Sequence, residues 1–174
     1  MKRTDAASHA FLGEEFLTWL WFRLETEGGE FDLGKGKVLG VVLDDFLAFA
    51  PSEQDETEQI LRKGLPTRSA EAAAALRGGR RLRRAKLLLA VGERQWSVVV
   101  DGPTLGLRSV RLPEDSEEAE TPQDRNLERV QHFLEVHDLV GALYHRFLQQ
   151  RLRPDYLKTT AESQAQWMSD PNRL

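Results

Sequence analysis

"RRLRRAKLLLAVGERQWSVVVD", residues 80–101, is the stretch that predicts the fold, because two strand-forming runs are joined by Gly92-Glu93 alone. A two-residue loop that begins with glycine favours a β-hairpin with a type II′ turn. The next run, "LGLRSVRL" (105–112), predicts a third strand. Upstream, "KVLGVVLDDFLAFA" (37–50) predicts two short strands or one strand bent at Asp44-Asp45, and "TEQILRKG" (57–64) predicts an edge strand.

A helix is predicted over residues 9–27, ending at Gly28-Gly29. Its apolar side chains cover an arc of about 200° at 100° per residue, whereas a surface helix usually shows a stripe a little over 100° wide. The arc consists of Leu12, Phe16, Leu17, Trp19, Leu20, Trp21 and Leu24. Such an arc predicts more than one packing partner. Trp21 and Phe22 lie at or beyond its margins, so we predict them as interface residues for a partner or for the last helix.

A short helix is predicted within "PTRSAEAAAALRGG" (66–79), with Thr67 or Ser69 as N-cap and Gly78-Gly79 as its end. Downstream, an acidic linker over 113–120 precedes the last helix.

The last helix is predicted to begin with Thr121 as N-cap, Pro122 at its first position and Asp124 at its third. It continues to about Leu152, before Pro154. The predicted apolar stripe is Leu127, Val130, Leu134, His137, Gly141, Tyr144 and Leu148, widened by Phe133, Val140 and Phe147.

These elements predict an α+β fold, in which an antiparallel sheet with a β-hairpin is covered on one face by the aromatic N-terminal helix and the long C-terminal helix. We expect one domain over residues 9–152 and a polar, loosely attached tail over 153–174.

The composition excludes several classes of protein. The chain has 174 residues and no cysteine, so disulfides, thiolate metal sites and cysteine nucleophiles are excluded. The first ten residues lack the apolar core of a secretory signal. The longest uncharged aromatic-rich run, residues 16–22, is far shorter than the roughly 20 residues that span a bilayer. We therefore expect a cytoplasmic protein with no membrane partner.

No motif in the sequence predicts catalysis. The glycines around Lys35 resemble a phosphate loop but lack its Ser/Thr and stand between a helix and a strand in the reverse order, so a plain turn is predicted. His132, His137 and His145 are spaced five and eight residues apart, whereas a metal pair on one helix face needs three or four. Asp44-Asp45 is interpreted as a turn or a carboxylate site. We predict a non-enzyme with no catalytic residue, metal, cofactor or small-molecule substrate.

Charge is segregated along the chain. The net charge is −4, but residues 61–112 hold twelve Lys/Arg against three Asp/Glu, a net of +9, while the remainder holds twelve against twenty-five, a net of −13. Six of the cations occupy ten positions and form the basic cluster: Arg77, Arg80, Arg81, Arg83, Arg84 and Lys86.

Strand alternation places Arg81 and Arg83 on one face, and Arg84 and Lys86 on the other. Because a half-buried strand does not tolerate charges on both faces, we expect this end of the strand to project beyond the sheet. Such a ribbon can neutralise phosphates without reading bases. The alternative, left open here, is that the arginines pair with the acidic loops at 53–58 and 114–120.

Residues 66–113, followed by an acidic gap and "ERVQHFLEVHDLVGALYHRFLQ" (128–149), resemble the C-terminal half of the RdgC family of recombination-associated proteins. "FLGEEFLTWLWFRLE" (11–25) is similar to the segment that introduces this half. In that family a short helix precedes a strand that starts basic and turns apolar, and an aromatic-bearing strand, a third strand and a closing helix follow.

The resemblance implies a ring-shaped dimer that binds duplex DNA with little sequence preference and restrains RecA-driven recombination, with a location in the nucleoid. It places the backbone contacts on Arg80, Arg81, Arg83, Arg84 and Lys86. The family's N-terminal half has no counterpart in these residues. Three alternatives remain open: the chain dimerises differently, it binds DNA weakly, or it has lost DNA binding.

Two functions follow as hypotheses. The first is a non-enzymatic, sequence-nonspecific protein that binds double-stranded DNA. The second is a protein-interaction or oligomerisation module, including a homodimer, which the wide arc of the first helix and the long last helix favour.

Overall fold

The computed structural model describes residues 4–51, 56–62, 64–116 and 121–170, with side chains from residue 11 onward. In chain order, the elements are α1 (Thr4–Thr26), β1 (Glu30–Gly34), β2 (Lys37–Phe49), β3 (Gln59–Arg62), a 3₁₀ helix (Pro66–Arg68), α2 (Ala70–Arg77), β4 (Leu82–Val91), β5 (Arg94–Asp101), β6 (Gly106–Arg111), α3 (Pro122–Arg151), a second 3₁₀ helix (Tyr156–Lys158) and α4 (Thr160–Ser169). The α+β class is confirmed. Positions 53, 55 and 117–120 of the predicted acidic segments lie outside the described residues.

The sheet is antiparallel with strand order β1-β2-β4-β5-β6, and β3 pairs with β2 beside β1. The predicted hairpin is confirmed: Val91 pairs with Arg94, and Gly92 takes a left-handed φ of 59° between them. β2 is one strand, whose register against β4 shifts between Leu43 and Leu47. Of the two alternatives for this stretch, the single bent strand is therefore the one observed.

The glycines around Lys35 form the turn of a second hairpin, between β1 and β2. Gly34, Lys35 and Gly36 all take positive φ, and the Gly34 N–H donates to the Asp32 carboxylate at 2.7 Å. β1 itself was not predicted from the sequence, because the glycines around this five-residue strand predicted a turn alone.

α1 lies at the centre of the core. Phe16, Leu17 and Leu20 are fully buried, and the helix packs on β4 and β2 of the sheet, on α3 and on α4. These four neighbours explain the wide apolar arc. The helix begins at Thr4, five residues earlier than predicted.

Two polar or backbone contacts fix α1 on the sheet. The buried Thr18 hydroxyl donates to the Glu14 carbonyl at 2.9 Å and accepts the Leu82 N–H at 3.0 Å. Gly13 lies directly against Gly102 in the β5–β6 turn, where a Cβ atom would overlap the Gly102 carbonyl group. A glycine inside this helix therefore allows two backbones to touch.

The N-terminus of α3 is as predicted. The predicted buried face is confirmed for Val140 and Phe147 and is wrong for the residues that are exposed: Leu127, Val130, Phe133, Leu134, His137 and Gly141. Thr121 and Asp124 form a capping box, with Pro122 in the first turn. The side chains that enter the core are His132, Val136, Leu139, Val140, Leu143 and Phe147. The apolar side chains among these belong to the same core cluster as the sheet residues, and the Trp96 indole N–H of β5 donates to the His132 carbonyl at 3.1 Å.

The segment after residue 152 is not a loose tail where the structure describes it, to residue 170. Tyr156 is buried, and the Trp167 ring meets Trp21 and Phe22 edge-on at centroid distances of 5.7 and 5.5 Å. The prediction rested on the overall polarity of the segment, whereas two aromatic side chains are enough to dock it on α1. In the described part of the chain, no helix has the length and apolarity needed to cross a membrane.

Candidate interaction surfaces

The start of β4 does not project beyond the sheet. Leu82 pairs with Phe49 of β2, and Arg84 pairs with Asp101 of β5, so the strand has neighbours on both sides. Leu82 and Ala85 are fully buried. The prediction was wrong because β4 contains one extra residue, Arg83, where its pairing with β2 moves from Arg84 to Leu82. This bulge leaves two consecutive arginines partly exposed while Leu82 and Ala85 on either side enter the core.

Three members of the basic cluster are engaged by other parts of the chain. Arg80 is buried and donates to the carbonyls of Ala50 and Thr57 at 3.3 and 2.9 Å. Arg84 forms an ion pair with Glu58. This pair agrees with the alternative that the arginines neutralise the acidic loop.

Lys86 is the best-bound cation of the cluster. Its Nζ lies 2.8 Å from Asp44 and 2.9 Å from Asp45, and these hydrogen bonds raise the pKa of the lysine. The adjacent Asp44 and Asp45 carboxylates at the bend of β2 therefore form ion pairs with Lys86.

The other three cations have no ion pair with a described residue. Arg77 is exposed at the end of α2. The Arg81 guanidinium lies 3.9 Å from the centroid of the Phe11 ring. Arg83 faces Glu14, whose pKa is raised by burial, an effect that the charges of Arg83 and Arg81 partly oppose. The structure therefore divides the cluster: Arg81 and Arg83 lie beside α1, and Arg84 and Lys86 lie beside β2.

Trp21 and Phe22 are not available as an interface. Both are buried, and Trp167 of the same chain covers them. The last helix predicted from the sequence is α3, whereas the helix that covers Trp21 and Phe22 is α4, which was not predicted.

An exposed apolar surface lies instead on the first half of α3. We define the α3 stripe as Leu127, Val130, Phe133 and Leu134, which are between 43% and 60% exposed. These residues were predicted as part of the apolar stripe of the last helix. Leu127, Val130 and Leu134 begin a line with three- and four-residue spacing, and Phe133 lies beside it. Only the last residues of that line, Tyr144 and Leu148, are partly buried, and Tyr144 meets Phe16 of α1 at 5.3 Å. The spacing of the apolar residues in the sequence does not show which of them are covered by α1.

The histidines of α3 do not form a metal site with other described residues. His132 is buried, with ring nitrogens 3.8 Å from both Glu128 and Glu135, while His137 and His145 are exposed. Within the described ranges, no group of three or more His, Cys, Asp or Glu side chains is placed to hold a metal ion.

Comparison of the chain with protein-family models, with curated proteins and with solved structures finds no match. The resemblance to the RdgC family therefore stays a prediction.

Proposed function

We propose that this chain is a non-enzymatic interaction module that associates with a second copy of itself through the α3 stripe. The observation that carries the proposal is the exposure of four large apolar side chains within about two turns of one helix. Side chains spaced by three and four residues are what a helix presents to another helix. Because the same line is already used against α1 further along α3, a helix is the partner that continues the packing.

The size of the stripe predicts a weak dimer. Four large side chains, each about half exposed, present on the order of 400 Å² of apolar surface, which lies within the roughly 300–600 Å² of the largest apolar patch on a typical monomer, a patch that is often functional. A standard interface covers about 800 Å² per partner, so polar residues at the edges of the stripe must supply the rest. We expect a dissociation constant in the micromolar range or above.

Multi-angle light scattering on matched variants tests the proposal. We expect the mass of the unmodified chain to rise from 19.8 kDa toward twice that value as concentration increases. Val130→Glu with Leu134→Glu should hold the protein at the monomer mass, because two carboxylates would be buried without partners. The control is Leu157→Glu, at a leucine that is 71% exposed and lies outside the stripe. Equal masses for the double variant and the control would refute the proposal.

Binding to the DNA backbone is the second candidate, and Arg77, Arg81 and Arg83 favour it because none has an ion pair with a described residue. The net charge of +9 over residues 61–112 and the resemblance to the RdgC family support it further. For a DNA-binding chain, the resemblance to the RdgC family also implies a role in recombination and a location in the nucleoid.

Three phosphate contacts predict a log–log salt slope of about −2.7, from −0.9 for each phosphate. Replacing Arg77, Arg81 and Arg83 by alanine should remove most of this slope. Replacing the ion-paired Arg84 and Lys86 instead should leave most of it. A duplex titration at about 50 mM salt that shows no binding would eliminate this candidate.

A further inference from the structure

The outer edge of β2 is paired at both ends and unpaired in the middle. Its ladder with β1 extends from Lys37 to Gly40, and its ladder with β3 extends from Phe46 to Phe49. The Val41 N–H donates to the Gly29 carbonyl at 2.7 Å, where the first ladder ends. Among the described residues, no strand faces residues 42–45 on this side. We call these four residues the edge gap; at about 3.3 Å per residue it is about 13 Å long.

The main chain of Leu43 points into the edge gap. Along a strand, the N–H and C=O groups of alternate residues point to the same side. The Val41 N–H points to Gly29, away from β4, so the N–H and C=O of Leu43 point the same way. No described backbone or side-chain group bonds them there. One donor and one acceptor therefore remain open between two strands that run in the same direction.

A cavity of about 810 Å³ adjoins the edge gap. Its walls come from the end of α1, from β2 and from the 3₁₀ segment, and its lining includes Leu24, Val41, Val42, Leu65 and Arg68. Val42 and Leu65 are 57% and 62% exposed. The volume lies within the roughly 300–1,000 Å³ of ligand pockets.

This edge also lacks the usual protection. Natural sheets guard free edges with lysine, proline, bulges or a covering segment, because an open ladder recruits other strands. Here the exposed residues beside the open main chain are apolar. The free groups of Leu43 select an extended backbone, and the apolar walls select alternating apolar side chains.

The charges of the cavity indicate one further feature of the ligand. The Glu25 carboxylate is held by the indole N–H groups of Trp21 and Trp167 at 2.6 and 3.0 Å. Arg68 has no ion pair with a described residue. The available charge in the wall is therefore positive, which favours an acidic side chain on the ligand.

We propose that the edge gap binds an extended peptide segment of another protein, which inserts between β3 and β1 as an additional strand antiparallel to β2. Main-chain hydrogen bonds to Leu43 supply part of the affinity, as in other cases of strand addition to a sheet edge. The apolar side chains of the peptide pack toward Leu24 and Leu65, and an acidic side chain reaches Arg68. This site shares no residue with the α3 stripe and does not depend on self-association.

A library of random linear heptapeptides displayed on phage, selected against the full chain, tests the proposal. We expect selection of alternating apolar sequences with an acidic residue. The selected peptides, synthesised with blocked ends, are then titrated by fluorescence anisotropy. Val42→Lys should weaken their binding at least tenfold. The control Val38→Lys lies on the same strand, 49% exposed, but opposite Asp32 where β1 covers the edge, and should change affinity less than twofold.

Two further measurements separate strand addition from other binding. N-methylation at successive peptide positions should abolish binding at alternate positions only, since the pairing has a period of two. Amide exchange of Leu43, fast in the free chain, should slow when peptide saturates the site. The proposal is overturned if no peptide is selected, or if the selected peptides bind Val42→Lys as tightly as the unmodified chain. Peptides that lose affinity in Val130→Glu instead would also overturn it, because they occupy the α3 stripe.

Discussion

Replacing Gly13 by alanine tests the central packing contact of the fold. An alanine Cβ would overlap the Gly102 carbonyl group and lie 3.1 Å from its Cα atom. The obstacle is backbone, and it cannot move freely, because the Gly102 N–H donates to the Arg83 carbonyl at 2.8 Å. α1 must therefore shift away from the β5–β6 turn.

Two effects of opposite sign set the magnitude. Alanine is favoured over glycine inside a helix by about 1 kcal/mol. Overpacking costs about 1–3 kcal/mol and occasionally more, and a backbone overlap belongs at the upper end. We expect a net loss of about 2 kcal/mol in the free energy of unfolding, which lowers the melting temperature by about 4–8 °C in a chain of this size.

Gly141 provides the matched control. It is exposed within α3, and a Cβ atom there would meet nothing within 4 Å. Gly141→Ala should raise the free energy of unfolding by about 1 kcal/mol. Urea denaturation followed by circular dichroism at low protein concentration compares the two variants. If Gly13→Ala stabilises the protein as Gly141→Ala does, the close approach of α1 to Gly102 is wrong.

Three further predictions concern the interior and the C-terminal segment. Thr18→Val should cost about 1–3 kcal/mol in unfolding free energy, measured by urea denaturation, because the buried Leu82 N–H loses its acceptor; an unchanged midpoint would contradict this. Trp167→Ala should make α4 sensitive to limited proteolysis while the sheet stays resistant, since the indole is its main contact with Trp21; equal cleavage rates would show that α4 is not docked. Burial, followed by the charge of Glu15, raises the pKa of Tyr156 from 10.0 to about 12. The folded state therefore holds this proton more tightly, and stability should fall as pH rises from about 10 to about 12. Tyrosinate absorbance measures the ionisation, and a Tyr156 that ionises near pH 10 in the folded chain would refute the burial argument.

Elements set by neighbouring residues could be predicted from the sequence. The Gly92-Glu93 loop, the capping box at Thr121 and the end of α2 at Gly78 all depend on residues within one turn of each other. Their chemistry is local, so a single sequence contains it.

Features set by contacts between residues far apart in the sequence could not be predicted from it. α3 has two apolar stripes, and only contacts such as that of Trp96 with His132 decide which one is buried. The basic cluster shows the same limit: its charges are visible in the sequence, but the acceptors of Lys86 lie more than forty positions away. The docking of α4 likewise rests on Trp167 meeting α1 across the length of the chain.

The central claim is that the α3 stripe joins two copies of this chain, and sedimentation velocity on the unmodified protein tests it most directly. From low to high micromolar concentration, we predict that the sedimentation coefficient rises from that of a monomer to that of a dimer. A coefficient that stays at the monomer value over the whole range would contradict the account.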